Sequence, residues 1–410
     1  MQFCKISTFL FFLLFQMKAY AELYQATRSF ENIDELEYSE WVKNNVTSDI
    51  FSNPNSPYYG IKTDCADAAI ALRVIYSYEQ KLSFEYRENN GRILTEKTSL
   101  FDHVSSNQIE KLKAFIAYIG ENTGSEILAH YNTYPIELKS IRPGDLYITR
   151  WKNSNGEFTR HVYIIKEVLA TGDFTLISST TPRAIRPLLA RKGMPLKIFT
   201  ESPFGFKRFL NDVRANPRIM PDYSLFQYEA IKSGEESFFK LVKNTLKVTE
   251  DTLELNIQRL TENVCVALKA RVNVVQIASE EKKKLRNTCF KKSQYDEYSS
   301  PSRDRNIIQD IERLRNGYRT IVKRDLALEL EESTKKGLDY LIGEDKTDSA
   351  LSAMRDLCNV KVPFPNGQFA TIHIKLFYDR YKIALISSNP NHSLESRWGF
   401  KGPDNSCPDL

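Results

Sequence analysis

Residues 57–76, PYYGIKTDCADAAIALRVIY, decide how the first half of the chain folds. Asp64 suits a helix N-cap, Asp67 follows it by three residues, and the run after it favours helix. Cys65, Ala68, Ala69, Leu72, Ile75 and Tyr76 recur at the i, i+3, i+4, i+7 spacing of one apolar face. The spacing predicts a buried helix with Cys65 in its first turn. Partial positive charge at a helix N-terminus favours thiolate over thiol, the form a sulfur nucleophile needs. The same stripe also suits a core cysteine, because free cysteines are commonly buried.

Upstream, residues 22–57 read as a helical or irregular lead-in closed by SNPNSP at 52–57. The N-terminus reads as an export signal, residues 1–21. Lys5 precedes the apolar run ISTFLFFLLF at 6–15, and Ala19-Tyr20-Ala21 has the A-x-A form of a cleavage site. Ten apolar residues are too few for a bilayer, which needs about 20. No later stretch is long and apolar enough to span one either. The expected location is therefore periplasmic or extracellular. The formal charge is +5, of which Lys5 and Lys18 belong to the leader. So mild a basic balance suits an anionic wall polymer and makes no case for nucleic acid.

Downstream, LSFEYR at 82–87 is strand-like and QIEKLKAFIAYIG at 108–120 reads as a second helix. Strands follow near 145–151, 160–169 and 173–180, with turns at Asn155-Gly156 and Thr171-Gly172. From about Tyr223 the texture becomes helical, over 224–247, 251–288 and, after Ser299-Ser300-Pro301-Ser302, about 303–342. The charge cluster EEKKK at 280–284 fits a solvated helix surface. The tail suggests a hairpin, 368–375 with 382–387. These shifts divide the chain into a 58–212 domain, a 213–345 helical domain and a 346–410 tail.

Without Cys4 of the leader, five cysteines remain: Cys65, Cys265, Cys289, Cys358 and Cys407. In an oxidising compartment the last four can form two disulfides and leave Cys65 alone. If 251–288 is one helix, Cys265 and Cys289 stand about 36 Å apart and cannot pair. Bridges from Cys265 or Cys289 to Cys358 or Cys407 are then expected. A helix break near Val272, Val274 and Val275 would reopen the pairing.

His161, opening the apolar run RHVYIIKEVL at 160–169, is the histidine whose setting suits a base for Cys65. His103, His130, His373 and His392 have no such setting. None of the five makes a metal-ligand spacing, so no metal is expected.

Three blocks, in this order, resemble signatures of the NlpC/P60 family of papain-like cysteine hydrolases. Tyr58-Tyr59-Gly60 followed by Asp64-Cys65-Ala66 is similar to the family's Tyr/Gly lead and D-C-S-G nucleophile turn. Arg142-Pro143-Gly144-Asp145-Leu146 looks like its P-G-D-L strand entry, and His161-Val162-Tyr163-Ile164 resembles H-V-G-I-Y. The resemblance covers about residues 58–182. It implies an α+β, papain-like domain in which the cysteine helix packs on an antiparallel sheet, here followed by a long, mainly α-helical domain. It also implies Cys65 as nucleophile, His161 as base and a third polar residue on the next strand.

A hairpin centred on Thr171-Gly172 sets His161 opposite about position 182 and puts Ser178 on the same face, with Ser179 a close rival. The Cys65 backbone N–H and the Tyr58 hydroxyl are oxyanion candidates, with Asp64 beside them. Asp67 stands where the family has a small residue, and its charge opposes thiolate formation unless it caps the helix. The insertion at about 82–140 is long enough to form or cover a groove. The implied substrates are stem peptides of peptidoglycan, and no cofactor is implied. Two other readings fit the same residues. One is an amidase or transpeptidase acting on a lipid or protein amide. The other is a catalytically silent papain-like module whose helical domain binds an envelope protein.

Overall fold

A computed structural model describes residues 22–152, 156, 158–181, 183–286, 288–364, 367–403 and 407. Residues 1–21, read above as an export leader, and Asn155 of the expected Asn155-Gly156 turn lie outside the described residues. The chain is α+β with antiparallel sheets, and its buried side chains form two separate apolar clusters. The first runs from Leu23 to Val242 and the second from Ile257 to Trp398. The break between cores therefore falls near residue 250 and not at 212. The reason is the helix after the sheet, whose Phe238, Phe239 and Val242 are buried in the first core.

In the first unit, α1 (Asn32–Asn45) belongs to the supposed lead-in. It packs Tyr38 and Trp41 against Tyr76 of α2 (Cys65–Glu79), with ring centroids 5.2 and 5.7 Å apart. Residues Cys65 to Ser77 of α2 are all buried. The single apolar stripe thus understates the burial, because small alanines let neighbours approach on the other sides as well. A short hairpin, β1 (Glu85–Arg87) with β2 (Ile93–Thr95), precedes α3 (Gln108–Asn122) and α4 (Ser125–Tyr131).

Six strands then form one antiparallel sheet. They are β3 (Thr133–Pro135), β4 (Leu146–Lys152), β5 (Phe158–Val168), β6 (Phe174–Ser178), β7 (Leu189–Lys192) and β8 (Gly205–Phe209). Their spatial order is β3-β8-β4-β5-β6-β7. Side chains alternate between the two faces of a strand. Tyr147 pairs with Tyr163 and Phe206, and this aromatic face meets Phe238 and Phe239. Phe209, three residues on from Phe206, lies on the other face. There its ring is 5.4 Å from the Arg73 guanidinium of α2. The sheet is thus covered by α2 on one side and, after α5 (Phe226–Ala230), by α6 (Glu235–Leu246) on the other.

The second unit is built on α7 (Leu253–Lys284), a continuous 32-residue helix. It is completed by α8 (Lys292–Tyr298), α9 (Pro301–Lys323), α10 (Glu332–Ile342), α11 (Asp348–Leu357) and α12 (Ile374–Lys382). With α7 unbroken, the disulfides are Cys265–Cys358 and Cys289–Cys407, both running from the long helix or its exit to the tail. The tail hairpin is β9 (Asn359–Pro363) with β10 (Phe369–His373), and 382–387 is not a strand. Val360, Val362 and Ile372 supply the buried alternation, while the run from Ile374 turns helical and buries Phe377.

The two units meet at the edge strand β7. Asn263 of α7 accepts the Lys192 N–H at 2.8 Å and donates to the Lys192 carbonyl at 2.6 Å. Arg191 pairs with Asp310 of α9 at 2.9 Å. Among the described residues no helix is long and apolar enough to cross a membrane.

Candidate active site around Cys65

The first turn of α2 is fixed by reciprocal capping. The Asp64 carboxylate accepts the Ala66 and Asp67 N–H groups at 3.0 and 3.1 Å, and Asp67 accepts the Asp64 N–H at 3.1 Å. Asp67 also pairs with Arg183 Nε at 2.6 Å. Burial, with the Asp64 charge adding, pushes Asp67 up to about 6 against the pull of Arg183. Its charge is thus spent on a cap and a cation, the condition under which it opposes a thiolate least. Asp64 is a helix cap, and its acceptor-only carboxylate cannot stabilise an oxyanion. That corrects its expected place on the substrate side.

Cys65 is only 6% exposed and is the free cysteine among the described residues. Its Sγ lies 3.8 Å from the Ser125 hydroxyl at the start of α4, and the backbone N–H of Val162 is near enough to favour its charged form slightly. Burial, reinforced by the charges of Asp64 and Asp67, pushes the thiol up to about 12. The resting group is therefore a neutral thiol. The N-terminal charge of the helix, read alone, predicts the opposite, and desolvation outweighs it.

Val162 is the residue after His161, so the structure brings the sulfur to the expected histidine strand. The imidazole itself leaves β5 on the face of Tyr163, whose ring it meets edge-on with centroids 4.4 Å apart. Burial holds it down at about 4, so it is neutral at pH 7. Among the described residues no hydrogen bond joins His161 to Cys65 or to Ser178.

The β5–β6 register departs from the simple hairpin. Val168 pairs with Phe174, but a bulge between Ile165 and Glu167 shifts the ladder so that Ile164 pairs with Ile177. Continued from there, position 180 rather than 182 faces His161. Ser178, buried at the end of β6, keeps the parity of the His161 face. Ser179 does not compete with it, because its hydroxyl donates to the Thr63 carbonyl at 2.9 Å.

Tyr58 is not at this site. Its hydroxyl donates to Glu79 at 2.6 Å, and Glu79 ends α2 fourteen residues beyond Cys65, about 21 Å along the axis. The oxyanion role expected for Tyr58 is thereby removed. The Cys65 backbone N–H, untouched by the Asp64 cap, remains.

Comparison with protein-family models, curated proteins and solved structures finds no match for this chain. What the site contains must be argued from its own residues.

Sequence reasoning missed Ser125 and Arg183. Ser125 follows Gly124 at the mouth of a seven-residue helix, with no local pattern to mark it. Arg183 reaches Asp67 because the loop after β6 runs beside the turn before α2, where Thr63 bridges Ala184. Such a contact spans over a hundred residues and leaves no periodic trace. Among the described residues no group of three His, Cys, Asp or Glu side chains is gathered so as to hold a metal.

Proposed function

We propose that this chain is an exported, papain-like cysteine hydrolase that cleaves amide bonds in peptides, with Cys65 as nucleophile and His161 as base. One observation carries the reading. The sulfur sits in the first turn of α2, and that helix packs against β5, with the backbone N–H of the residue next to His161 beside the sulfur. Neutral imidazole is the form that can accept a proton. The imidazole rests on the α6 face of β5, so in the proposed sequence it first turns towards the α2 side and then takes the Sγ proton as sulfur attacks the amide carbon. The Cys65 N–H stabilises the oxyanion. The protonated imidazole then gives its proton to the departing amine, leaving a thioester. His161 next deprotonates water, which attacks the thioester, releases the acid and restores the thiol. Ser178 would orient the imidazole. Stem peptides of peptidoglycan are the substrate class that the NlpC/P60 resemblance supports, and two disulfides fit an oxidising compartment.

The test is release of new amines from purified wall peptides by the full chain, compared with Cys65→Ala and His161→Ala. Both variants should lose at least about a hundredfold in rate. Full turnover by Cys65→Ala would remove the mechanism.

A second reading, a catalytically silent module whose helical unit binds an envelope partner, is favoured by the closed, neutral thiol and the missing Cys65–His161 hydrogen bond. Iodoacetamide separates the two. A thiol near 12 should alkylate about a thousandfold more slowly at pH 7 than an ordinary exposed cysteine. On the hydrolase reading, wall peptide should change that rate. On the silent reading it should not.

A further inference from the structure

The loop after β6 forms a wall of the Cys65 site. Ser179 donates to Thr63 at 2.9 Å, the Thr63 N–H donates to Ala184 at 3.2 Å, and Arg183 pairs with Asp67 at 2.6 Å. All three contacts fall on the turn that starts α2. The other side of this loop is clasped by the helical unit. Arg303, in the first turn of α9, donates to the Thr181 carbonyl and, at 3.2 Å, to the Thr180 hydroxyl. Arg186 donates to the same hydroxyl at 3.1 Å.

Charge balance marks Arg303. Its bonds go to neutral oxygens: Thr180 Oγ1, Thr181 O and, at 3.3 Å, Ser299 O. Among the described residues it makes no ion pair with a carboxylate. Asp304, its neighbour in sequence, is already taken by Arg271 and by the hydroxyls of Ser300 and Ser388. Behind it lies Arg397, which is 1% exposed and bonded to Ser300 and to the Tyr298 carbonyl. Three guanidiniums thus surround one carboxylate. A hydroxyl can accept two hydrogen bonds and still donate one. Thr180 therefore offers its proton at the point where two guanidiniums meet, an arrangement that fits a carboxylate oxygen.

We infer that Arg303, with Arg186 and Thr180, is a specificity-determining site that binds a carboxylate of the peptide substrate, so that the helical unit completes the pocket of the first unit. The inference rests on the hydrolase reading for the identity of the ligand but not for the existence of the site. It gives the second unit a task at the site: adding the Arg303 guanidinium to the Arg186 guanidinium that the sheet domain carries there. Arg303 acts on binding and is not a catalytic residue.

Calorimetric titration of the full-length Cys65→Ala chain separates binding from turnover. The probe is acetyl-Ala-Gln-Lys-Ala with either a free C-terminal carboxylate or its amide. The acid should bind about tenfold more tightly than the amide. Arg303→Ala should abolish that ratio, and Arg303→Lys should keep part of it. Arg191→Ala, which breaks an inter-unit ion pair away from Thr180, should leave the ratio unchanged. Equal binding of acid and amide by the parent would overturn the site, as would loss of the ratio in Arg191→Ala to the same degree as in Arg303→Ala. If the site holds while wild-type protein cleaves nothing, it is the hydrolase reading that fails.

Discussion

The two units solve the burial of charge differently. In the sheet unit the two most deeply buried arginines each have a carboxylate of their own. Arg73 pairs with Glu35, and Arg208 pairs with both Asp145 and Asp222. In the helical unit Arg271 and Arg397 are both essentially inaccessible, but only Arg271 pairs with Asp304. Arg397 bonds to Ser300 and the Tyr298 carbonyl with Asp304 as the nearby charge, and Trp398 lies over Arg271 at 4.4 Å. Burial, with the Arg271 charge adding, pulls Arg397 down to about 9. The sheet unit needs no disulfide and keeps its cysteine free, whereas the helical unit carries both bridges. The contrast teaches that covalent ties sit where the interior is least balanced electrically and the apolar core is smaller.

The sharpest way to break the contrast is to remove the bridges. They close loops of 93 and 118 residues, and each is worth about 4 kcal/mol. Full-length Cys358→Ser/Cys407→Ser protein should show a separate early urea transition, followed by hydrogen exchange in α7 and α9, while β4 and β5 keep their protection. Loss of protection in both units together would deny that they are independent. Next in size is Asp304→Asn, which leaves two buried guanidiniums without a counter-charge. It should cost about 3 kcal/mol in the helical transition alone.

The smallest effect concerns pH, and each unit carries one reporter. Burial holds both His161 and His373 at about 4, below the ordinary value of 6.5. A histidine with a depressed folded pKa contributes stability that is complete above 6.5. That stability is lost as pH falls from 6.5 towards 4, because the unfolded chain takes up the proton first. The loss should be about 1–2 kcal/mol per site, since both rings keep some solvent contact. His373 caps α12 by accepting the Leu376 N–H on Nδ1, so protonation also breaks a cap. Urea titrations at pH 7 and pH 4.5 should show His161→Gln flattening only the sheet transition and His373→Gln only the helical one.

Much of this was legible in the residues because it is local. The Asp64 cap, the three strands between 145 and 180 and the helix-to-tail disulfides follow from spacing, alternation and the rise of a helix. What was not legible depends on contacts across the chain. Tyr58 lies seven residues from Cys65 in sequence, yet it is drawn to Glu79 at the far end of α2. The thiol's high pKa comes from packing by α4 and β5, which no helix-terminus argument contains. The bulge in β5 moves the partner of His161 by one position with no glycine or proline to announce it, and the hairpin's own pairing moves it by one more. The boundary near 250 depends on Phe238 and Phe239 choosing the first core, a choice that amphipathic periodicity cannot make.

The double bond from Asn263 to Lys192 has a consequence for the fate of partial chains. A side-chain amide imitates the next strand and occupies both backbone groups of a residue on the last strand of the sheet. A protein trimmed after α6 would present those groups bare, ready to stitch onto a strand of another molecule. The helical half is thus also a guard against polymerisation of the sheet, and proteolysis between the units should yield aggregates before it yields unfolded chain.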